Sequence, residues 1–203
     1  MHEQIAVIGA GPLGRWLARE AARAGYRVLL EDVMPSNLTH AAEELRQELA
    51  QQAGGAGVGL VSTIEDAVRQ ADLVIDCVPD ELESKLEILW LLDRMAPPRA
   101  VLATPTVRQS IRDLAACTYR PDRCVGLAVD PRGLTRPGVG AASPAGTPAP
   151  VRVRITPQTS VDTQALVAGF FERLGILAVF ELEDGANAWR PDSEGRVINA
   201  PSS

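Results

Sequence analysis

Short aliphatic and β-branched runs alternate along this chain with longer stretches whose apolar positions recur every three or four residues. Ile5–Ile8 predicts a strand and Pro12–Ala24 the helix after it, with Leu13, Trp16, Leu17, Ala21 and Ala24 on the buried stripe. Pro12 suits a first helical turn, where its missing N–H costs nothing, and Gly25 is a natural stop. Arg27–Asp32 predicts a second strand, and Ser36 can cap a helix reaching about Gln52, which the glycine-rich 53–57 ends. A short strand at Leu60–Val61 leads to a helix around Ile64–Arg69. Leu73–Cys77 is a continuous apolar run, as expected of a strand covered on both faces. Glu81–Met95 is amphipathic and stops before Pro97-Pro98. Val101–Ala103 and Cys124–Val129 predict further strands, with a short helix near Val107–Leu114 between them. Later, Val151–Ile155 returns as a strand, Ser160 can cap a helix to Leu174, and Leu177–Leu182 predicts a last strand.

Repeated strand–helix alternation implies an α/β fold with a doubly wound, mostly parallel sheet and helices on both faces, because parallel strands need crossover helices. That domain is expected over 1–182. It is interrupted at 131–150 by a loop rich in Pro, Gly and Ala, and followed at 183–203 by a polar tail. Loops as long as 131–150 usually carry function or lack fixed structure.

Composition narrows the function classes. Of 203 residues 46% are hydrophobic, enough for a real core, and the formal charge of −6 argues against nucleic acid as a partner. Arg15, Arg19 and Arg23 recur every four residues opposite the apolar stripe and read as a solvated face. Cys77, Cys117 and Cys124 are odd in number and lack CxxC spacing, which fits neither a disulfide framework nor a zinc site and suits a reducing compartment. The N-terminus enters a strand at once without the pattern of a signal peptide, and no apolar run approaches a membrane span. A cytoplasmic protein with no membrane partner is the expectation.

Candidate chemistry concentrates in Ile5-Ala6-Val7-Ile8-Gly9-Ala10-Gly11-Pro12-Leu13-Gly14. Gly-x-Gly-x-x-Gly alone is a weak signal. Here it joins a strand to a helix, and the next strand ends in an acid, which is the context of a Rossmann dinucleotide site. Gly9 permits the tight turn, Gly11 lets the backbone approach a pyrophosphate, and Gly14 lets helix and strand pack closely. The helix start, Pro12-Leu13, turns the unpaired N–H groups that follow Pro12 and a partial positive charge toward the phosphates. Asp32 is placed to accept from the adenosine ribose hydroxyls. With Glu31 beside it and no Arg following, NAD is favoured over NADP.

The run Ala71-Asp72-Leu73-Val74-Ile75-Asp76-Cys77-Val78-Pro79-Asp80-Glu81-Leu82-Glu83-Ser84-Lys85 resembles an acidic segment of the L-3-hydroxyacyl-CoA dehydrogenases. Further similarity lies in Leu102-Ala103-Thr104-Pro105-Thr106, in Arg123–Leu127 and in Thr159–Gly175, so that it covers about residues 4–130 and 151–180. A faint echo of the segment opening the family's second domain falls at 192–195. The resemblance implies NAD as cofactor, an acyl-CoA as small-molecule substrate and a role in fatty acid metabolism. It also puts Asp80 and Lys85 by the nicotinamide half of the cofactor; Val78 and Thr106 are further cofactor-binding candidates, Thr106 also being able to hydrogen-bond a substrate.

The resemblance equally marks departures. The family's general-base histidine follows Gly-Leu, and that position is Ala128 here, with Val129-Asp130-Pro131 next. The glutamate that orients the histidine falls on Arg152, the substrate-contacting serine on Val107 and the asparagine before it on Pro105. His2 and His40 are the only histidines, and neither is expected near the site. The family's helical second domain would begin where this chain ends, which would leave the sheet edge open to a homodimer partner. Two readings follow. One is an oxidoreductase with altered chemistry, with Lys85 polarising a carbonyl and Asp130 at a strand's carboxyl end as catalytic candidates. Lys85 reads equally as a cofactor contact, and Asp130-Pro131 as a turn start. The other is a catalytically silent NAD-binding sensor or a subunit of a larger assembly.

Overall fold

The computed structural model describes residues 3–49, 57–129 and 150–183. The chain runs β1 (Gln4–Ile8), α1 (Pro12–Arg23), β2 (Arg27–Glu31), α2 (Pro35–Leu49), β3 (Val58–Val61), α3 (Ile64–Val68) and β4 (Leu73–Asp76). It continues through α4 (Leu82–Met95), β5 (Val101–Pro105), α5 (Ile111–Ala116), a 3-10 turn at Pro121–Arg123 and β6 (Cys124–Ala128). Then come β7 (Val151–Ile155), α6 (Val161–Arg173) and β8 (Ala178–Leu182).

All eight strands form one sheet in the order β3-β2-β1-β4-β5-β6-β7-β8. The first six are mutually parallel. β7 joins β6 antiparallel, and β8 runs parallel to β7. Strand order reverses between β1 and β4. A crevice opens there at the carboxyl ends, where ligands of open α/β sheets bind.

Apolar residues separate by face, as strand alternation requires. One core joins Val7, Val28, Leu30 and Val153 of the sheet to Leu13 and Leu17 of α1, Ala41 and Leu45 of α2, and Phe170 and Phe171 of α6. The other joins Ala6, Ile8, Val74 and Leu102 to Ala67 and Val68 of α3, Leu89 and Leu92 of α4, and Ile111 and Leu114 of α5. The fold is therefore the three-layer doubly wound sheet that the alternation of elements predicts.

Two boundaries differ from expectation for local reasons. α2 begins at Pro35, ahead of Ser36, because the Asp32 carboxylate takes the Met34 N–H at 2.8 Å and Pro35 fits the first helical position. α5 begins at Ile111 and not near Val107. The N–H groups of Val107, Arg108 and Gln109 are taken by the Asp80 carboxylate and the Thr106 hydroxyl, and Ser110 caps the helix through the Asp113 N–H. Among the sequence expectations, Asp130, the loop from 131 to 149, the tail from 184 and the segment 50–56 lie outside the described residues. No helix among those described is long and apolar enough to cross a membrane.

Candidate functional site

Gly9 ends β1 with φ +103°, a backbone region favouring glycine, and its N–H donates to Glu31 O at 2.7 Å. A Cβ there would lie 3.0 Å from Cys77 O of the neighbouring strand end. A Cβ on Gly14 would run into Gly9 O, so α1 can approach β1 only with glycine at that position. Gly11 is different: a Cβ would meet nothing within 4 Å. Packing explains Gly9 and Gly14, whereas Gly11 faces open space.

Gly11 is also the N-cap of α1 and has no side chain to cap it. Pro12 has no N–H to give, so Leu13 and Gly14 hold the first free donors of the helix, and Arg15 N–H already bonds Gly11 O at 3.0 Å. The loop is braced from both sides. The Asp32 carboxylate accepts the Ala10 N–H at 2.8 Å. Arg15 donates to Ala10 O at 2.8 Å while Nε pairs with Glu44 at 2.6 Å. Arg15 is thus part of the site's frame and not of the solvated face its spacing suggests.

Asp32 is buried and receives three groups, the N–H of Ala10, the N–H of Met34 and the Asn37 amide, the last at 3.1 Å from both oxygens. These bonds fix its orientation at the carboxyl end of β2. Its neighbour Glu31 is also buried, and burial followed by the Asp32 charge pushes its carboxyl up to about 7. Asp32 is thus the braced carboxylate at the carboxyl end of β2, with the buried Glu31 carboxyl before it.

Across the switch point, Val78 and Asp80 follow β4 and Thr106 follows β5. The Thr106 hydroxyl donates to Asp80 Oδ1 at 2.5 Å, and Asp80 Oδ2 takes the Val107 N–H at 2.9 Å. The structure therefore joins Asp80 and Thr106 at the ends of β4 and β5, while Val78 packs against the core beneath α3, α4 and α5. Lys85 is 0% exposed, and its Nζ lies 2.6 Å from Oδ1 of Asp76, itself 0% exposed. The ammonium is thus fully enclosed and held by a buried carboxylate at the carboxyl end of β4. The burial has a simple cause: Lys85 shares the inward face of α4 with Ile88, Leu89 and Leu92.

At the end of β6, Ala128 pairs directly with Arg152 of β7. The position implied for a general base and that implied for its orienter are thus neighbours, occupied by a methyl group and a guanidinium. Arg152 is half-exposed and reaches outward to Glu181 at 3.3 Å. His40 lies exposed on α2, with Glu44 at 3.9 Å. Sequence reasoning passed over Arg154 and Glu183, which are buried together behind Thr106. The signal was present in Val151-Arg152-Val153-Arg154-Ile155, where two charges alternate with apolar residues along one strand.

Sheet order, glycine geometry and the braced acid at the end of β2 together define a Rossmann-class dinucleotide-binding domain. The model of the 3-hydroxyacyl-CoA dehydrogenase NAD-binding domain matches residues 4–128. The chain belongs to that family, and its cofactor is NAD. A "Probable 3-hydroxybutyryl-CoA dehydrogenase" of Bacillus subtilis is 33% identical over 137 residues, covering 62% of this chain and 47% of its own length. The 5-formyl-3-hydroxy-2-methylpyridine 4-carboxylate 5-dehydrogenase of Mesorhizobium japonicum is 34% identical over 136 residues, 63% of this chain and 44% of that protein. The crystal structure of the 3-hydroxyacyl-CoA dehydrogenase from Archaeoglobus fulgidus superposes with a TM-score of 0.71 at 29% identity, over 92% of this chain and 59% of the other. The chain thus spans about half the length of the curated relatives it matches.

Proposed function

We propose that this chain holds NAD(H) in the manner of its family but does not carry out 3-hydroxyacyl-CoA oxidation by a histidine–glutamate pair. The observation that carries the reading is the direct pairing of Ala128 with Arg152 at the ends of β6 and β7. Bound NAD would supply hydride acceptance. The protein's own part is to seat the pyrophosphate at Gly11 and the α1 start, and the ribose at Asp32. Abstracting a hydroxyl proton needs a base within hydrogen-bond reach, and a methyl side chain offers none; losing such a group costs about 10²–10⁴-fold in rate.

This favours a catalytically silent NAD-binding sensor or assembly subunit over an oxidoreductase with altered chemistry, because Lys85 is fully enclosed and already engaged by Asp76. An acyl-CoA is the ligand class to test first, given the names of several relatives. The free thiols of Cys77, Cys117 and Cys124 favour a reducing, cytoplasmic setting.

Calorimetric titration with NADH, repeated with acetoacetyl-CoA present, tests the proposal together with an assay of NADH oxidation. Micromolar NADH binding without turnover is expected. Turnover of acetoacetyl-CoA at rates ordinary for a dehydrogenase would refute the silent reading, and failure to bind NADH would refute the cofactor assignment.

A further inference from the structure

One buried guanidinium claims two carbonyls of the loop between β5 and α5. Arg154 stands on β7 opposite Gly126 of β6 and is 3% exposed. Its Nη2 donates to Thr106 O at 2.9 Å and its Nη1 to Gln109 O at 3.0 Å, and Nη1 lies 3.3 Å from Glu183 Oε2. The Glu183 carboxylate in turn accepts the Ser110 hydroxyl, the Ile111 N–H at 3.2 Å and the Arg112 N–H at 3.4 Å. Gly126 makes the room: a Cβ there would stand 3.4 Å from Nε and Nη2 of Arg154 and 3.3 Å from Ile111 Cβ.

From the other side, Asp80 takes the Thr106 hydroxyl and the N–H groups of Val107 and Arg108. Residues 106–110 are therefore gripped twice, with N–H groups held by a carboxylate and carbonyls by a planar fork. Lys could not reproduce this grip, because an ammonium lacks the paired, coplanar donors. A buried ion pair contributes little net stability, since desolvation offsets attraction. An apolar residue at 154, like Val151 and Val153 in the same strand, would serve packing alone.

We propose that Arg154, with Glu183, is a positioning pair that fixes loop 106–110 as a wall of the nicotinamide half of the NAD site. This rests on the NAD reading above. With the ribose at Asp32 and the pyrophosphate at Gly11, the rest of the dinucleotide lies over the carboxyl ends of β4 to β6, where this loop stands.

The test uses the full chain carrying Arg154→Met and titrates it with NADH and with ADP, which keeps the adenosine and pyrophosphate but lacks the nicotinamide half. NADH affinity is expected to fall about ten-fold or more, while ADP affinity stays within about two-fold. Arg154→Lys should show the same selective loss. Arg154→Met strands the Glu183 charge, so if it fails to fold, the same titrations are made on the double variant Arg154→Met/Glu183→Gln. Equal losses for both ligands, no loss for either, or full recovery in Arg154→Lys would each overturn the proposal. Absence of NADH binding by the unaltered protein would instead remove the cofactor reading beneath it.

Discussion

Lys85 Nζ lies 2.6 Å from Asp76 Oδ1 with both side chains fully enclosed, tying the inward face of α4 to the carboxyl end of β4. Burial pushes the Asp76 carboxyl above the usual carboxylate range, and Lys85 pulls it back. The pair is consequential mainly when broken. Lys85→Met should cost about 3–5 kcal/mol, because it leaves an uncompensated buried carboxylate. Lys85→Met/Asp76→Leu should recover most of that loss. Urea denaturation of the two variants checks this; equal losses would mean that the lysine's packing, and not its charge, is what matters.

The three glycines of the β1–α1 turn make separable contributions, and the separation can be measured. Gly14→Ala drives a methyl group into Gly9 O, and the expected cost is about 3 kcal/mol or more, with NADH binding lost as α1 is displaced. Gly11→Ala has open space and an ordinary φ of −67°, so stability should stay within about 0.5 kcal/mol. Its methyl group would nevertheless stand where the pyrophosphate must approach, and NADH affinity should fall about ten-fold or more. Thermal melts and NADH titrations of both variants are the check. Unchanged NADH affinity in Gly11→Ala would place the phosphates elsewhere.

Much of this architecture was legible because each element carries its own punctuation. Pro12 and Gly25 bound α1, Ser160 bounds α6, and alternation between continuous apolar runs and amphipathic stretches gives a parallel sheet. What stayed illegible depends on partners distant in sequence. The start of α5 is decided by Asp80, which takes N–H groups that a local reading gives to a helix. Lys85 reads as a cleft residue when taken with Asp80, yet it falls on the same helical face as Ile88 and Leu92. The burial of Arg154 required knowing that β7 runs antiparallel to β6, which puts it beneath α5.

Glu31 makes stability depend on pH near neutrality. Its carboxyl sits at about 7 in the folded protein against an ordinary 4.5, through burial and then the Asp32 charge. The folded form therefore keeps a proton that the unfolded chain releases, and stability falls as pH rises between about 4.5 and 7. Glu31→Gln removes this dependence. The variant should match the parent near pH 4 and exceed it by about 1–2 kcal/mol at pH 8, the full shift being discounted for solvent screening. Denaturation midpoints across that range test it, and a constant difference at all pH values would exclude titration of Glu31 as the cause.

Asp32 ought to set the choice between NAD and NADP, and its several bonds make the form of the test matter. Its carboxylate holds Ala10 N–H and Met34 N–H, each at 2.8 Å, so any replacement also loosens the loop. Loss of affinity alone would therefore say little about recognition. A 2′-phosphate brings about −1.5 to −2 charges against Asp32, whereas a ribose hydroxyl can donate to the carboxylate. NADPH should thus bind the parent far more weakly than NADH. Asp32→Ser should weaken NADH by about 1.5–3 kcal/mol, the worth of a hydrogen bond to a charged group. It should affect NADPH less, because repulsion is relieved as the loop loosens. The discriminating quantity is the ratio of the two dissociation constants: a narrowed ratio assigns specificity to the Asp32 charge. A ratio unchanged while both affinities fall would reduce Asp32 to a brace for the glycine turn.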